Sequence, residues 1–562
     1  MKKLTFTTVR TQQHEERTGS RMIDNLKRNW YFPISAMAFF SLSTELTPEF
    51  IFGMALAFVI FVVISARIPS IWALAKKQSI AIHLLSIATA AGIRLSGNML
   101  VQFHWTLIEA LLPLKLLRPI AYGLPRVTGI FFCIAAFPFV YLCLLLFYKN
   151  LSDILRKTRV FKEIKAAEWM VYGLLFAATL GFMAFTFTQS DAFYGTEYLY
   201  DVIYTSDSPS LVKGNAYQSL AFEENDFRQA LFAVFSAPFT GSLYLVAWLL
   251  NASASVRAML LNSIQIAMML AANLMLARML KFDSLKRICF MVLLSCTHTY
   301  LLFALMMEQY IVTYFWLILS IYLISENWQL DRIAMWGAGG TLLTSMILMP
   351  FMSKKSLIKD FKAWFMDMMK YGIEFVIFVL ACCRFDALYN VMRSWSVLSD
   401  YTGNAVTFAD KLYQYTEFVV NCFAAPNAGA STKMMGHISW QLADVSSVNF
   451  VGVVIVLLAI ISAIWNRDKK SSLLAAGWVI FSAFILLIFG WGTNENGLIL
   501  YSLYFGWAFI ILLIQLIEKI ENQLHSKYML PITIGIASIV LFTMNFPLIM
   551  EMMSFAAANF PV

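Results

Sequence analysis

Charge is scarce in this sequence, and so is the polar surface that a soluble protein of its length needs. Only 13% of its 562 residues are charged, whereas 60% are hydrophobic and 15% are aromatic. An average soluble protein has about 25% charged and about 45–50% apolar residues. The composition therefore excludes a soluble multidomain protein, a disordered chain and a collagen. It predicts a polytopic membrane protein.

Patterned cysteines, histidine clusters and nucleotide-binding loops are missing as well. The seven cysteines form no CxxC pair and mostly lie inside apolar runs, which is typical of small buried hydrophobic residues. No GxGxxG follows a predicted strand, and no GxSxG nucleophile motif occurs. No set of metal ligands is predicted. The net charge of +9 does not indicate nucleic acid as a partner, because the basic residues lie in short loops between apolar segments.

Apolar runs long enough to cross a bilayer recur along the whole chain. A spanning helix needs about 20 mostly apolar residues, because each residue rises about 1.5 Å across a core of about 30 Å. We predict an all-α, polytopic transmembrane helical bundle of about 12 to 15 spans. The candidate spans are residues 31–46, 49–66, 79–107, 127–148, 169–188, 230–250, 256–280, 289–307, 309–325, 333–352, 371–385, 449–465, 474–491, 497–517 and 529–550.

Lysine and arginine gather in alternate loops between these spans. The positive-inside rule makes the basic loops and the N-terminus cytoplasmic and predicts a multi-pass protein of the cell membrane. The basic segments are the N-terminal tail and residues 67–77, 149–165, 354–362, 467–470 and 519–527. Strict alternation would instead put Lys281, Lys286 and Arg287 on the outer side. A re-entrant or broken helix within 256–325 is the alternative that removes this conflict.

The outer side then collects long loops that are acidic and aromatic. Residues 189–229 hold seven Asp and Glu residues against only Lys213 and Arg228. Residues 386–448 form a second long exoplasmic loop, and residues 490–497 form a short third one. A simple connection needs only a few residues, so we expect the two long loops to be partly folded and functional.

Five short elements follow one another between residues 169 and 517. They are Thr205-Ser206-Asp207-Ser208, Asp226-Phe227-Arg228-Gln229-Ala230-Leu231-Phe232, Glu308-Gln309-Tyr310, Gly340-Thr341-Leu342-Leu343-Thr344-Ser345, and Glu495-Asn496-Gly497-Leu498-Ile499-Leu500-Tyr501-Ser502-Leu503-Tyr504. Their order resembles the GT-C superfamily of integral membrane glycosyltransferases, and within it the bacterial members that use polyprenyl-phosphate sugars. Those relatives tend to have His-Pro where this chain has Gln229-Ala230.

The resemblance implies a GT-C-type fold with four consecutive segments. These are a cytoplasmic basic tail (1–30), N-terminal transmembrane helices (31–168), a GT-C-like core module (169–352) that includes loop 189–229, and C-terminal helices (353–562) with loop 386–448. It implies transfer of a sugar from a polyprenyl-phosphate-linked donor to an envelope glycan or lipid acceptor at the outer face of the cell membrane. Membrane lipids surround the active site, and nucleic acid has no role.

Carboxylates in loop 189–229 suit this chemistry, because the attacking acceptor hydroxyl must lose a proton. Asp207 is the first candidate for the base, since it lies between small polar residues, although a turn before Pro209 is the alternative. Asp226 is the second candidate, with a helix-cap role as its alternative. Asp191, the first carboxylate after span 169–188, is a rival base. A divalent cation (Mg²⁺ or Mn²⁺) bound by loop carboxylates is an open cofactor assignment.

Substrate-binding candidates come from the remaining elements. Arg228 and Lys213 could bind the departing lipid phosphate, whose charge needs cations or hydrogen-bond donors; an interfacial anchor is the alternative for Arg228. Glu308 interrupts an apolar stretch, so it faces a cavity or a partner, or else it marks a short exposed turn. The other candidates are Tyr310, Glu495 and Asn496.

Two other classes of function remain open. A transporter or flippase for lipid-linked sugars would also be polytopic and basic inside, but such proteins tend to have internal repeats, and none is visible here. A non-catalytic relative in an envelope glycopolymer assembly complex is the third interpretation. Gln229-Ala230 favours it, because an imidazole that could hold a phosphate or metal is absent from that position.

Overall fold

A computed structural model describes most of the chain, and most of the described residues are helical. The described residues are 20–41, 48–95, 118–194, 202–206, 208–213, 216–218, 227–326, 330–355, 358–393, 402–432, 438–494 and 496–562. Contacts divide the chain into two units. The first unit is Met1–Asp153, Tyr217–Leu249 and Met369–Asn390, and the second is Ile154–Ala216, Leu250–Met368 and Val391–Val562. The two units interleave along the sequence.

The secondary structure alternates long apolar helices with short polar connections. In chain order the helices are α1 (Tyr31–Ser41), α2 (Pro48–Arg67), α3 (Ile71–Ala75), α4 (Ile80–Leu95), α5 (Arg118–Thr158), α6 (Ala166–Gln189), α7 (Ser208–Lys213), α8 (Phe232–Leu249), α9 (Ala254–Met279), α10 (Ser284–Cys296), α11 (His298–Leu305), α12 (Gln309–Ser325), α13 (Arg332–Thr341), α14 (Phe361–Ala381), α15 (Phe385–Arg393), α16 (Phe408–Asn421), α17 (Phe450–Trp465), α18 (Lys470–Ser482), α19 (Ser502–Gln523) and α20 (Met529–Asn559). Strands β1 (Ala428–Ser431) and β2 (Ser439–Leu442) form an antiparallel hairpin. Leu343–Met352 and Leu498–Tyr501 are 3₁₀ segments.

The helices have the length and composition of membrane spans. Eight helices in the described part of the chain are long and apolar enough to cross a bilayer, and the bent pair of α10 and α11 makes nine if it is one span. The chain is a multi-pass membrane protein built as a helical bundle. Five apolar helices are shorter than a full span. The total of 12 to 15 spans stays a prediction, because it depends on whether those five cross.

Aromatic rings and one very close helix crossing hold the first unit together. Phe139 packs edge-on against Phe61 at 5.1 Å between ring centroids, and tilted against Phe32 at 5.3 Å. Helices α4 and α8 cross with almost no side chain between them, since a Cβ built on Gly92 would lie 1.6 Å from the carbonyl oxygen of Gly241. Small residues permit such approaches between membrane helices, where van der Waals packing replaces the hydrophobic effect as the main attraction.

Replacing Gly92 by alanine is expected to lower the free energy of unfolding by about 1–3 kcal/mol, because the added methyl group forces the two backbones apart. Unfolding in detergent micelles, followed by circular dichroism, measures this loss. Gly173→Ala in α6 is the matched control, since no described atom lies within 4 Å of a Cβ there. That change should be neutral or stabilise the helix by about 0.5–1 kcal/mol. Equal losses in the two variants would contradict the tight crossing.

The second unit has a basic end, where cationic residues meet helix termini. The Arg278 guanidinium at the end of α9 donates a hydrogen bond to the carbonyl oxygen of Arg159 at 3.0 Å. Lys469 pairs with Glu518 at 2.7 Å, which brings the start of α18 to the end of α19. We define the basic end by residues 156–168, 278–287, 467–470 and 518–530.

The structure corrects the side assigned by alternation to Lys281, Lys286 and Arg287. Lys286 forms a salt bridge with Glu521, and Arg287 forms one with Glu168, so the connection between α9 and α10 belongs to the basic end. The basic residues at 156–168, 278–287, 467–470 and 518–530 therefore share one end.

The physical reason is that α6 and α9 are antiparallel neighbours. The Tyr194 hydroxyl just beyond α6 interacts with the Ser255 side chain at the start of α9, and the other ends of both helices lie at the basic end. The chain thus leaves the second unit and re-enters it at the same end. Alternation along the sequence could not reveal this return, because residues 217–249 between the two helices belong to the first unit.

The opposite end of the second unit, the loop end, is closed by pairing between distant segments. Ser190 donates from its hydroxyl to the carbonyl oxygen of Phe560 at 2.7 Å, which ties the end of α6 to the end of α20. Ile203 forms a parallel bridge with Trp440 of β2. The described parts of the two long loops therefore pair with each other, and the first also pairs with the end of α20. We define the loop end by residues 190–194, 202–206, 428–442 and 490–497.

One span is broken in its middle, and a polar side chain compensates for the break. Helices α10 and α11 meet at an angle of 65°. The Asn545 side-chain amide donates to the carbonyl oxygens of Cys296 and Phe423, both at 2.8 Å. An unpaired backbone carbonyl is costly inside a bilayer, so Asn545 makes the break tolerable. The sequence had indicated one continuous run over residues 289–307.

Candidate functional site

The first and last of the predicted elements meet at the loop end. Thr205 lies against the loop of residues 490–497, because a Cβ built on Gly497 would be 2.7 Å from the Thr205 hydroxyl oxygen. Two backbone hydrogen bonds with Trp440 fix the segment before it: Tyr204 donates at 2.7 Å, and Trp440 donates to Val202 at 2.8 Å. Elements from two predicted loops and the 490–497 connection therefore form one surface.

The middle elements pack directly beneath that surface. The ring of Tyr310 contacts the ring of Tyr501 edge-on, with 5.4 Å between centroids. The Tyr504 hydroxyl is 2.9 Å from the Ser345 hydroxyl and 3.1 Å from the Thr344 hydroxyl. The first residues of α12, the first residues of α19 and the 3₁₀ segment after α13 therefore lie together. Four of the five elements predicted from the resemblance contribute residues to this region of the second unit.

Glu308 lies in a turn between α11 and α12, and the turn is fully buried. Its exposed fraction is 0%, and Met306 and Met307 are buried to the same extent. Gln265 of α9 donates to its carbonyl oxygen at 2.8 Å. Because Gln265 is 11 residues beyond Ala254, Glu308 lies about 16 Å along α9 from the loop end. The exposed-turn interpretation was therefore wrong about exposure, and the carboxylate lies at membrane depth.

Asp191 follows the C-terminal end of α6 and is hydrogen-bonded to residues near the C-terminus of the chain. Its backbone N–H donates to the carbonyl oxygen of Phe560 at 3.3 Å, and Tyr194 donates back to the Asp191 carbonyl oxygen at 3.0 Å. Burial, and then the nearby Asp191 carboxylate, raise the pKa of the Tyr194 phenol. Tyr194 is therefore a neutral hydrogen-bonding group at physiological pH. Asp191 lies at the loop end, as a rival base would have to.

The other predicted residues divide into three groups. Asp207, Asp226 and Glu495 lie outside the described residues, although the neighbours of Asp207, Ser206 and Ser208, are buried. Lys213 ends the short helix α7. Arg228 belongs to the first unit and is half-buried, and the adjacent Gln229 is buried. The described residues of the site all belong to the second unit, so Arg228 is not among them.

A cleft opens at the loop end beside Asn496. It has a volume of about 200 Å³. The described lining residues are Gln414, Glu417, Phe418, Asn421, Pro426, Asn427, Leu442, Ala443, Asp444, Val445, Ser446, Ser447, Asn496, Leu498 and Ile499. We call this space the α16 cleft. Asn496 donates from its side-chain amide to the carbonyl oxygen of Ala443 at 3.3 Å, which joins the two sides of its rim.

Sequence reasoning missed two polar groups at the loop end. Lys411 of α16 packs against Gly490, whose φ of +73° is in the region that favours glycine. A Cβ on Gly490 would lie 2.8 Å from the Lys411 ammonium nitrogen, so only glycine leaves room for it. Asn421, on the same helix, is 2% exposed and lines the cleft. Both residues lie in loop 386–448, where only length and composition carried a signal.

The described residues provide no ready metal site. No three His, Cys, Asp or Glu side chains in the described part of the chain lie close enough to hold a metal ion. Three of the predicted acidic residues lie outside that part, so the open assignment of Mg²⁺ or Mn²⁺ concerns them. No chemical step below is routed through a metal.

Comparisons with known proteins give this chain no family. No protein-family model, no curated protein and no solved structure matches it. Any function must therefore be argued from the residues and their arrangement.

Proposed function

We propose that this protein is a GT-C-type membrane glycosyltransferase that moves a sugar from a polyprenyl-phosphate donor to an envelope acceptor on the outer face of the cell membrane. One observation carries the proposal. Thr205, Tyr310, Ser345 and Tyr504 come from four elements far apart in the chain, yet they gather at one end of one unit. Packing alone does not require polar elements of separate loops to meet.

Orientation follows from the distribution of charge. The basic segments that define the basic end lie opposite to the site, and the positive-inside rule makes that end cytoplasmic. The loop end then faces outward, where lipid-linked sugars are used as donors. Its apolar surroundings suit the polyprenyl chain, and its polar loops suit the sugar.

The proposed reaction is a displacement at the anomeric carbon. An acceptor hydroxyl attacks that carbon as a carboxylate takes its proton, with Asp207 as the first candidate and Asp226 and Asp191 as alternatives. The bond between the carbon and the phosphate oxygen breaks, and the lipid phosphate leaves with the electron pair. Nearby cations and hydroxyl groups stabilise the charge on that oxygen.

Lys411 is the described cation at the loop end that best suits the departing phosphate. Lys411→Gln is expected to raise the KM for the donor about tenfold or more, because a charge-assisted hydrogen bond to phosphate is lost. Steady-state transfer with varied donor concentration measures this change. Lys362→Gln, at an exposed position, is the control. A changed acceptor KM with an unchanged donor KM would contradict the phosphate role.

The reaction itself is tested with purified protein in lipid nanodiscs. Radiolabelled polyprenyl-phosphate sugars and envelope extracts are supplied, and label transferred to a product is counted. Covalent transfer that requires the intact protein supports the proposal. Donor flipping without covalent transfer would support the flippase, and neither activity, with the donor bound, would support the non-catalytic relative that Gln229-Ala230 suggests.

A transporter or flippase is the second candidate, and Glu308 favours it. A buried carboxylate beside a broken span, about 16 Å from the loop end, is typical of midplane sites in transporters. In the glycosyltransferase, the Glu308 carboxylate would lie deeper in the helical bundle than the reacting sugar. It would support the polar residues around Tyr310. Glu308→Gln separates the two: it should abolish transport in a flippase but reduce glycosyl transfer only partly.

A further inference from the structure

We infer that the α16 cleft is a saccharide subsite that takes a neutral or amino-bearing sugar ring and rejects phosphate and uronate groups. This inference deepens the proposed function, because it assigns recognition of the acceptor to a particular cleft. Some amide oxygens of the lining residues accept no hydrogen bond from a described residue.

Two residues of the lining each carry a buried amide oxygen that has no described donor. Asn421 is 2% exposed, and its Oδ1 accepts no hydrogen bond from any described residue. Gln414 uses its amide nitrogen to donate to the carbonyl oxygen of Thr493 at 3.2 Å, while its Oε1 has no described donor either. A buried amide oxygen without a donor costs about 1–3 kcal/mol. The bound group must therefore supply O–H or N–H donors.

The charge of the lining excludes anionic ligands. Glu417 and Asp444 are carboxylates, and the described lining contains no Lys, Arg or His. One Glu417 oxygen accepts a hydrogen bond from the Asn449 side chain at 2.7 Å, which fixes the carboxylate in place. Like charges brought together in a binding site cost several kcal/mol, so a phosphate or a uronate is disfavoured. An ammonium group is favoured.

The shape and the apolar wall suit a ring. Water takes up about 30 Å³ per molecule, so a volume of about 200 Å³ suits one small polyhydroxylated ring. Phe418, Leu498 and Ile499 add apolar surface to the lining, which suits the C–H face of such a ring. A donor-rich edge with an apolar face is the chemistry of a sugar, and it differs from that of the lipid-phosphate half of the donor.

Saturation-transfer NMR on the protein in nanodiscs tests this directly. The probes are methyl glucoside, glucosamine and glucuronate, which share a ring and differ in charge. We expect signals from the first two and binding of glucuronate at least about tenfold weaker. Glu417→Gln keeps a side-chain oxygen that can accept the hydrogen bond from Asn449. It should narrow the difference in binding affinity between glucosamine and glucuronate. Asp468→Asn, at an exposed position of the basic end, removes the same charge and should leave that difference unchanged.

Asn421→Leu separates binding from folding. It removes the undonated amide oxygen, so stability should stay equal or rise, whereas binding of all three probes should fall at least about fivefold. Three results would overturn the inference. They are no saccharide binding at all, a glucuronate signal as strong as the other two, and full binding by a folded Asn421→Leu protein. Saccharide binding without any glycosyl transfer would instead remove the proposed function and leave the subsite standing.

Discussion

Asp207→Asn is expected to lower the rate of sugar transfer by about 10²–10⁴-fold while donor binding stays near normal. Asparagine has the shape of the aspartate side chain but cannot take the proton of the acceptor hydroxyl. The segment that leads to Asp207 is pinned by Trp440 and packs against Gly497, so an isosteric change should leave it folded. Single-turnover transfer of labelled sugar measures the rate, and a separate binding assay measures donor affinity.

The pH profile distinguishes a base from a residue that only supports the loop. In the wild type, the rate should rise as pH increases through the pKa of the base, because only the carboxylate form accepts a proton. The Asp207→Asn protein should lose that rise. Asp191→Asn and Asp226→Asn are measured beside it, with Asp468→Asn as the charge control at the basic end. A full loss in the Asp191 variant with normal transfer in the Asp207 variant would move the base to Asp191.

Hydropathy was enough to find the long apolar helices of this chain, because span length is set by the bilayer. Residues 309–325 were predicted as a span, and α12 has the same bounds, Gln309–Ser325. Hydropathy alone gives no sign of the break within 289–307, since Thr297 is one polar residue in an apolar run. A broken helix within 256–325 was predicted only as an alternative, from the conflict over Lys281, Lys286 and Arg287. The Thr297 hydroxyl accepts a hydrogen bond from the Tyr300 N–H at 3.3 Å and so begins a new helix. The support from Asn545 comes from far along the chain and has no local signal.

The candidate site could be predicted only in pieces. The resemblance pointed to Thr205, Tyr310 and Tyr504 separately, but contacts between loops decide whether such residues meet. Lys411 and Asn421 could not be found in this way, because they lie on α16 within a segment known only by its length and acidity. Their roles depend on what faces them, namely Gly490 for the lysine and the α16 cleft for the asparagine.

At the basic end, Glu168→Gln is expected to lower the free energy of unfolding by about 3–5 kcal/mol. Glu168 is 0% exposed. The Arg287 guanidinium donates to both of its oxygens, at 2.9 and 2.7 Å, and to the carbonyl oxygen of Phe282 at 2.6 Å. The Tyr172 hydroxyl donates at 3.2 Å. Removing the carboxylate charge leaves the buried guanidinium without its counter-ion, which costs more than the lost hydrogen bonds.

Asp153→Asn is the matched control, because the ion pair between Asp153 and Lys149 is solvent-exposed. The Lys149 and Asp153 side chains are 41% and 44% exposed at a separation of 3.2 Å, and such pairs contribute about 0–1 kcal/mol. Unfolding in mixed micelles measures both variants. If Glu168→Gln costs no more than the control, the buried pair does not tie α6 to α10.

A double variant tests whether charge or packing holds the two helices together. Replacing a buried ion pair by apolar residues of similar volume is often neutral, because the cost of removing both charges from water is avoided. Glu168→Leu combined with Arg287→Met should therefore recover most of the stability that Glu168→Gln alone loses. The Tyr172 hydroxyl and the Phe282 carbonyl then lose partners, so recovery should fall short by about 1–2 kcal/mol. A double variant as unstable as the single one would mean that these hydrogen bonds, rather than the uncompensated charge, dominate the contact.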